Sequence, residues 1–381
     1  MRICLVYDHL YPATIGGGER WMHDLALALA RAGHDVTYLT MQHWSGRPPE
    51  LAGVEIVGLV PAGSVYGEGR RTLGPPLRFG IAVGRYLRRH GGRFDAVHTA
   101  AFPYFPMLAA AAARRRGGYR LIVDWYEVWS RAYWRRYAGN LVGTAGWLVQ
   151  RRCVRLRHRA FCISRLTERR LLEEGFRGEH AVLPGLYAGP VEPSTAGDIE
   201  QRVVFAGRHV PEKRVPLLVA AVAAARRELP QLQLTIFGDG PERGRVGEEA
   251  RRLGIAAAVD LVGRRPQEEV ERAFAGAACV ASASEREGYG LIVVEAAARG
   301  TPSVVVAGEE NASVELVVPG VNGVVAIAPT PEAIGSAIVD VVRSGAALRQ
   351  STLRWFVDNA NQLRIDRSLE LVLESYKKSP P

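Results

Sequence analysis

Cysteine is scarce in this sequence, and the four cysteines present are too scattered to form a recognisable motif. Cys4, Cys153, Cys162 and Cys279 include no CxxC pair, and no histidine lies at a zinc-ligand spacing from them. This argues against a structural metal site and against a small fold held by disulfides. We therefore expect four small buried side chains in a reducing compartment, and no bound metal.

Long apolar runs and a secretory signal are also lacking. The stretch from Ala101 to Ala113 is too short to span a bilayer, contains two prolines and is followed by three arginines. The opening residues, MRICLVYDHLYP, have the pattern of a strand and a loop rather than that of a cleavable signal. These absences predict a cytoplasmic protein, with peripheral contact at the inner face of the membrane as an open alternative.

Lysine is nearly absent, yet the formal net charge is +10 because arginine is abundant. Such a charge suits nucleic acid, an anionic membrane or a polyanionic ligand. No recognised nucleic-acid-binding motif accompanies the arginines, so we expect no nucleic-acid partner. The stretch from Trp134 to Phe161 combines arginine with tryptophan, which favours contact with an anionic membrane. A solvated helix is the simpler alternative.

The chain is long enough for two α/β domains, since single cores rarely exceed about 250 to 300 residues. Strand-like apolar runs alternate with stretches of helical period, which predicts doubly wound parallel sheets with helices on both faces. Proline, glycine and serine are concentrated in residues 185–198 and indicate a linker. We predict one Rossmann-like domain over 1–190 and a second over 191–354. A C-terminal helix, about 355–381, is expected to pack back on the first.

Glycines 16–18 precede the first predicted helix. Glycine lets backbone N–H groups approach a phosphate or sugar oxygen closely at a helix N-terminus. The GxGxxG pattern of NAD-binding folds is absent, and the second strand ends in Thr40 rather than in an acid that could hold a ribose. The loop therefore predicts a phosphate or sugar contact, with a flexible turn as the alternative.

At the start of the second domain, Arg208 and Lys213 lie five residues apart around a proline-containing loop. One guanidinium and one ammonium group would match the charge of a diphosphate. Lys213 is the only lysine before the C-terminal tail, which favours a functional role over a solvated loop charge.

A later loop places Glu287 before two glycines and a helix that contains Glu295. The amides of residues 288–291 would point out of the helix N-terminus and could bind an anion. A carboxylate at position 295, within an apolar helix, needs hydrogen-bond donors such as ribose hydroxyls, or a core arginine as its partner. Gly238 and Arg264 follow two further strands and would line the same rim.

Together these motifs resemble the retaining glycosyltransferases of the GT-B fold known as family 4, in which two Rossmann-like domains face each other across a cleft. The resemblance covers almost the whole chain, and the spacing of Glu287 and Glu295 fits the E-x7-E motif of that family. It implies metal-independent, cofactor-free transfer of a hexose-type sugar from a nucleotide-diphosphate donor, UDP- or GDP-linked. The acceptor would be a hydroxyl group of a glycan, a lipid-linked molecule or a small molecule.

The resemblance also implies roles for single residues. Arg208 and Lys213 would hold the diphosphate and stabilise the leaving group, and Glu287 would contact the donor sugar. Further donor contacts would come from Gly17, Gly18, Gly238, Arg264, Tyr289, Gly290, Leu291 and Glu295.

The first domain departs from the family at one position. Tyr126 stands where many members have a histidine that lines the sugar pocket, so Asp124 or Glu127 are candidates for acceptor binding or for a base. His98 matches another family histidine loosely, and a structural role is its alternative. The neighbouring tryptophans and tyrosines suggest stacking on a ring or ordinary packing. A GT-B epimerase or phosphorylase, and a membrane-bound transferase with a lipid acceptor, remain open.

Overall fold

The computed structural model describes residues 1–14, 16–63, 66–67, 70–190 and 199–377. The chain divides into two compact units, Met1–Leu186 with Ile365–Pro381, and Tyr187–Arg364. The first unit thus ends slightly before the predicted residue 190, and the chain returns to it at Ile365 rather than near 355. Ile15, the predicted linker residues 191–198 and the tail 378–381 lie outside the described residues.

Seven parallel strands form the sheet of the first unit, in the order β3-β2-β1-β6-β7-β8-β9. The direction of the chain order reverses between β1 and β6, which creates a crevice at the carboxyl edge of the sheet. The elements are β1 (Arg2–Val6), α1 (Gly17–Arg31), β2 (Asp35–Gln42), β3 (Val54–Pro61), β4 (Tyr66–Gly67), β5 (Arg70–Arg71), α2 (Gly74–His90), β6 (Ala96–Ala100), α3 (Tyr104–Gly117), β7 (Arg120–Trp125), α4 (Arg131–Ala138), α5 (Asn140–Val154), β8 (Arg159–Cys162), α6 (Arg165–Glu173) and β9 (His180–Val182).

The second unit contains a six-stranded parallel sheet in the order β12-β11-β10-β13-β15-β17. A short parallel pair, β14 with β16, lies outside that sheet. The elements are β10 (Glu200–Ala206), α7 (Val215–Ala225), β11 (Gln233–Phe237), α8 (Arg243–Arg252), β12 (Val259–Gly263), α9 (Gln267–Gly276), β13 (Ala277–Ala281), β14 (Arg286–Glu287), α10 (Leu291–Ala297), β15 (Ser303–Val306), β16 (Glu310–Asn311), β17 (Gly323–Ala326) and α11 (Pro331–Leu363).

The C-terminal helical segment forms two helices instead of one. α11 is kinked at Gly345, whose φ of +50° is outside the helical range. Arg364 has an extended backbone and separates α11 from α12 (Ile365–Lys377). Only α12 belongs to the first unit, where it contacts α1. In the part of the chain that the structure describes, no helix combines the length and apolarity needed to cross a bilayer.

All four cysteines are free and buried, as the sequence predicts. Burial raises the pKa of each thiol, and it raises the pKa of Cys153 and of Cys279 to about 12. Since the thiolate is the nucleophilic form, none of these groups is a reactive cysteine at neutral pH.

Candidate active site

Lys213 and Glu287, both predicted to contact the donor, contact each other. Nζ of Lys213 lies 2.5 Å from Oε1 of Glu287, and the two side chains are only 20% and 15% exposed. A cation suited to a diphosphate and a carboxylate suited to sugar hydroxyls therefore occupy one place in the second unit. The sequence placed these residues on separate loops, and the fold brings them together.

Two further ion pairs flank this contact. Arg286 pairs with Glu212 at 2.8 Å, and Arg214 pairs with Glu285 at 2.9 Å. Arg214 has a φ of +47°, a left-handed conformation that is costly for a residue with a side chain. We call residues 212–214 and 285–287 the paired loops. The complementary triplets Glu-Lys-Arg and Glu-Arg-Glu are a sequence signal of this pairing that the motifs above did not include.

Glycines at the ends of neighbouring strands form a continuous rim beside the paired loops. The amide of Gly238 donates to the carbonyl of Gly263 at 2.8 Å. A Cβ at Gly238 would lie only 1.9 Å from the carbonyl oxygen of Gly207, and the φ of Gly238 is +105°. Only glycine fits there. Arg208 and Arg264 follow two of these glycines and are exposed, so three predicted donor residues lie along one sheet edge.

The helix after the paired loops is short. α10 begins at Leu291, and Gly290 before it has a φ of +101°. A Cβ on Gly290 would lie 2.4 Å from Cβ of Ser313, so glycine is required by packing as well as by the backbone. Tyr289 is buried at 8% exposure. The backbone at Gly290 and Leu291 thus has a fixed position at the helix start.

Glu295 differs from its predicted environment. It is half-buried rather than fully buried, and the amide of Gln267 donates to its Oε1 at 3.4 Å. The nearby core arginine, Arg299, pairs at 2.5 Å with Glu271. Glu295 therefore has a hydrogen-bond donor within the protein, and its contact with a ribose stays a prediction.

In the first unit, Tyr126 lies beside the glycine loop. A Cβ at Gly18 would lie 2.7 Å from the hydroxyl oxygen of Tyr7 and 3.0 Å from Cε2 of Tyr126. Gly17 is exposed, with open space where its Cβ would be. The Tyr126 hydroxyl is buried and forms no hydrogen bond within the described ranges. Burial raises its pKa well above the usual value, so the group is a neutral phenol.

His98 and Asp124 do not fit the predicted role in acceptor binding. Both side chains are 0% exposed, and His98 Nε2 lies 2.8 Å from Asp124 Oδ1. His98 Nδ1 lies 2.8 Å from the Tyr376 hydroxyl, and the Trp21 indole donates to Asp124 Oδ2 at 2.6 Å. These groups satisfy one another inside the core. They join β6, β7, α1 and α12, and neither the His98 nor the Asp124 side chain is exposed for contact with an acceptor.

The aromatic residues near β7 are also structural. Trp129, Tyr133 and Trp134 are buried, and the Gln150 side chain accepts a hydrogen bond from the Trp134 indole at 3.0 Å. They pack on one another rather than presenting a face for a sugar. Half-buried Glu127 accepts a 2.6 Å hydrogen bond from the Trp129 indole, which holds it against this aromatic cluster.

A polar cluster directly after β1 was missed. Asp8 is 2% exposed, and its Oδ1 forms no hydrogen bond to any described residue. Its Oδ2 lies 3.8 Å from Nε2 of His9, and its carbonyl accepts from Nε2 of His43 at 2.9 Å. These residues lie at the carboxyl edge where the strand order reverses, the usual ligand position in such sheets. The sequence Tyr-Asp-His directly after a strand is the signal in the sequence that indicates this polar cluster.

Comparison with known proteins agrees with this organisation. A family model described as Glycosyltransferase Family 4 matches residues 15–185, and a model described as Glycosyl transferases group 1 matches residues 193–360. A glycogen synthase of Mycobacterium tuberculosis is 27% identical over 333 residues, covering 80% of this chain and 77% of that protein.

Two further similarities are informative. A GDP-mannose-dependent alpha-(1-6)-phosphatidylinositol monomannoside mannosyltransferase of Mycolicibacterium smegmatis is 32% identical over 167 residues, covering 41% of this chain and 43% of that protein. The structure of HepE from Anabaena in complex with UDP has a TM-score of 0.74 at 17% identity, covering 99% of this chain and 100% of that structure. The two family models match most of both units, and the chain belongs to the group 1 glycosyltransferases, enzymes of the GT-B fold.

Proposed function

We propose that this glycosyltransferase is metal-independent and retaining, and that it moves a hexose-type sugar from a UDP- or GDP-linked donor to a hydroxyl group. The contact between Lys213 and Glu287 beside the glycine rim is the observation that carries the proposal. It combines a charge for the diphosphate with a hydrogen-bond acceptor for sugar hydroxyls. The UDP in the HepE structure and the GDP-mannose in the name of the mannosyltransferase support a nucleotide-sugar donor.

In the proposed reaction, the bond between C1 of the sugar and the diphosphate oxygen breaks. The acceptor oxygen forms its bond to C1 on the same face, and the acceptor proton passes to an oxygen of the leaving phosphate. Lys213 and Arg208 offset the charge that develops on the diphosphate. Glu287 orients the sugar, and Glu295 accepts hydrogen bonds from the ribose. Every proton and electron pair is accounted for without a metal or a cofactor.

For the acceptor, we propose a position at the carboxyl edge of the first sheet. No described residue donates to the buried Oδ1 of Asp8 there, and Tyr126 has a buried hydroxyl that can donate a hydrogen bond. A carboxylate and a neutral phenol suit an acceptor that offers hydroxyl groups, such as a glycan, a small polyol or the headgroup of a lipid. This assignment replaces His98 and Asp124.

A thermal-shift series with UDP, GDP, ADP, dTDP and CDP, with and without EDTA, tests the donor site. A ligand that binds only the folded state stabilises it by about 2.7 kcal/mol at a hundredfold excess over its Kd. We expect one nucleotide to raise the unfolding temperature, and EDTA to leave that shift unchanged. Loss of the shift in EDTA would contradict metal independence, and no shift with any nucleotide would contradict the donor site.

The variant Lys213→Ala tests the donor site in the same thermal-shift series. It removes the charge that faces the diphosphate, so we expect the nucleotide shift to shrink and sugar transfer to fall at least about tenfold, as for a lost charge-assisted hydrogen bond. Lys377→Ala, on the exposed C-terminal turn of α12, is the control and should behave as the wild type. Full activity of Lys213→Ala would show that the assignment is wrong.

A further inference from the structure

A groove of about 960 Å³ lies on the first unit, between the C-terminal ends of α3 and α5. Leu108, Ala111 and Leu156 give it an apolar floor, and Arg115, Arg152 and Arg157 line it with positive charge. We call this the arginine groove. Because α3 and α5 end where β7 and β8 begin, the groove lies at the amino edge of the sheet. The candidate active site lies at the carboxyl edge, so the groove is a separate feature.

The charged residues that line the groove are all arginines. Residues 128–167 contain nine arginines and no acidic residue. The three guanidinium groups of the groove are exposed, and in the ranges that the structure describes none of them pairs with a carboxylate. Arg114 is positioned there as well, since it donates to the carbonyl of Arg157 at 2.7 Å. Clustered, unneutralised arginines of this kind attract a polyanion.

The exposed face of α5 continues from the groove and is apolar. Leu141 is 88% exposed and Leu148 is 53% exposed. They lie seven residues apart, on the same helical face as Ala145 and, one turn further, Arg152. This face therefore has Leu141 in its first turn, Leu148 just past its middle and Arg152 in its last turn. Exposed leucines beside clustered arginines are typical of helices that lie in the headgroup layer of a membrane.

The tryptophans do not contribute as the sequence suggested. Trp134 is buried, and Trp147 is half-buried with its indole donating to Glu174 at 2.8 Å. Leu141, Val142 and Leu148 supply the exposed apolar surface instead.

We propose that the arginine groove and the exposed face of α5 bind an anionic lipid bilayer, with a lipid phosphate held by Arg115, Arg152 and Arg157. Guanidinium groups match phosphate oxygens bidentately, and the apolar floor suits the first carbons of the acyl chains. A soluble polyanion would explain the arginines but not the exposed leucines. The proposal does not depend on the reaction that the enzyme catalyses.

Flotation of the full-length protein with vesicles tests this site. We expect recovery with an equal mixture of phosphatidylcholine and phosphatidylglycerol, and none with phosphatidylcholine alone. Arg152→Gln should weaken partition roughly fivefold, as for one juxtamembrane charge. Leu148→Glu should weaken it further, because a carboxylate replaces apolar area on the inserted face. Arg89→Gln and Leu172→Glu change exposed residues of α2 and α6 in the same unit and serve as matched controls.

Equal recovery with both kinds of vesicle would overturn the proposal, and so would equal recovery of Arg152→Gln and Arg89→Gln. Displacement of the protein from vesicles by millimolar glycerol phosphate at constant ionic strength would show that the groove binds a soluble phosphate, and would overturn the bilayer as occupant. Nucleotide thermal shifts of the same variants should equal those of the wild type. Failure of membrane binding is thereby distinguished from failure of the donor site.

Discussion

Asp8 combines burial with an oxygen that lacks a hydrogen-bond partner among the described residues. Such a carboxylate costs folding free energy unless a ligand donates to it. We therefore expect Asp8→Asn to keep or raise the free energy of unfolding, by roughly 1 kcal/mol, while it lowers kcat/KM for the acceptor. Urea unfolding and transfer kinetics measure the two effects.

The matched control for Asp8→Asn is Asp35→Asn, which changes an exposed aspartate at the amino end of β2. Asp35→Asn should change neither the free energy of unfolding nor kcat/KM for the acceptor. Nucleotide binding should be unchanged in both variants, since Arg208, Lys213 and Glu295, which are proposed to hold the diphosphate and the ribose, lie in the second unit. If Asp8→Asn destabilised the protein and left acceptor kinetics intact, Asp8 would be a structural residue.

His158 provides a pH-dependent contribution to stability. Its burial lowers its pKa from 6.5 to about 4, and the neutral ring accepts from the Trp125 indole at 3.0 Å. The unfolded chain binds this proton near pH 6.5, so the stability from the neutral ring is present above that pH. It is lost as the pH falls toward 4, by up to about 3 kcal/mol.

The variant His158→Gln should flatten the pH dependence of unfolding between pH 6.5 and 4. His90→Gln, at an exposed position of α2, should leave the slope unchanged. Denaturant unfolding at a series of pH values checks this. An unchanged slope in His158→Gln would mean that other groups produce the acid sensitivity of the first unit.

Single functional residues are identified from the sequence when they stand out by type. Lys213 is found because lysine is rare, and Gly238 because a glycine ends a strand. The sequence does not show whether His98 and Asp124 face a ligand or a buried partner, because a polar residue at a strand end has the same local pattern in both cases. Tyr376, the hydrogen-bond partner of His98, lies 278 residues further along the chain, so no local pattern reveals the network.

Arg349 connects several elements of the second unit through hydrogen bonds. Its buried guanidinium donates to the carbonyls of Ala275 and Ala277, at 2.8 and 2.6 Å, and to the Thr301 hydroxyl at 3.0 Å. The carbonyls lie at the C-terminal end of α9, where a helix favours a cation. Its pKa is lowered by burial, and the group nevertheless remains charged near neutral pH.

Arg349→Met should destabilise the second unit by about 2 to 5 kcal/mol, because buried carbonyls lose their donors. Arg354→Met, at an exposed position of the same helix, should change stability by less than about 0.5 kcal/mol. Urea unfolding followed by tryptophan fluorescence and by circular dichroism measures both. Equal stability of the two variants would show that the carbonyls find other donors.

The elements themselves were largely predictable. Buried parallel strands such as β1 and β13 appear as short continuous apolar runs, and α1 shows a clear helical period. The C-terminal segment was predicted as one helix because its amphipathic pattern continues through residue 364. The helix is interrupted at residue 364 because α11 belongs to the second unit and α12 to the first. The periodicity of apolar residues does not show on which unit a helix packs.

For the whole molecule, alternation of strands and helices was sufficient to predict two doubly wound domains. The residue at which the chain returns to the first unit was less predictable. That unit combines residues from both ends of the sequence. Charge is distributed unevenly as well: the arginines from 128 to 167 lie in the first unit, whereas Lys213 and Glu287 lie in the second. The proposed membrane contacts and the proposed diphosphate contact at Lys213 thus belong to different units.

Hydrogen exchange of the full-length protein distinguishes these contacts. Exchange reports local opening, so a ligand slows exchange most where it contacts the backbone or closes a loop. With the nucleotide that gives a thermal shift, we expect protection in residues 207–214 and 285–291, which contain Gly207 of the rim and the paired loops. Residues 141–152 of α5 should exchange as in the free protein. Uniform slowing over both units would indicate global stabilisation, and protection confined to the first unit would place the nucleotide there and contradict the donor assignment.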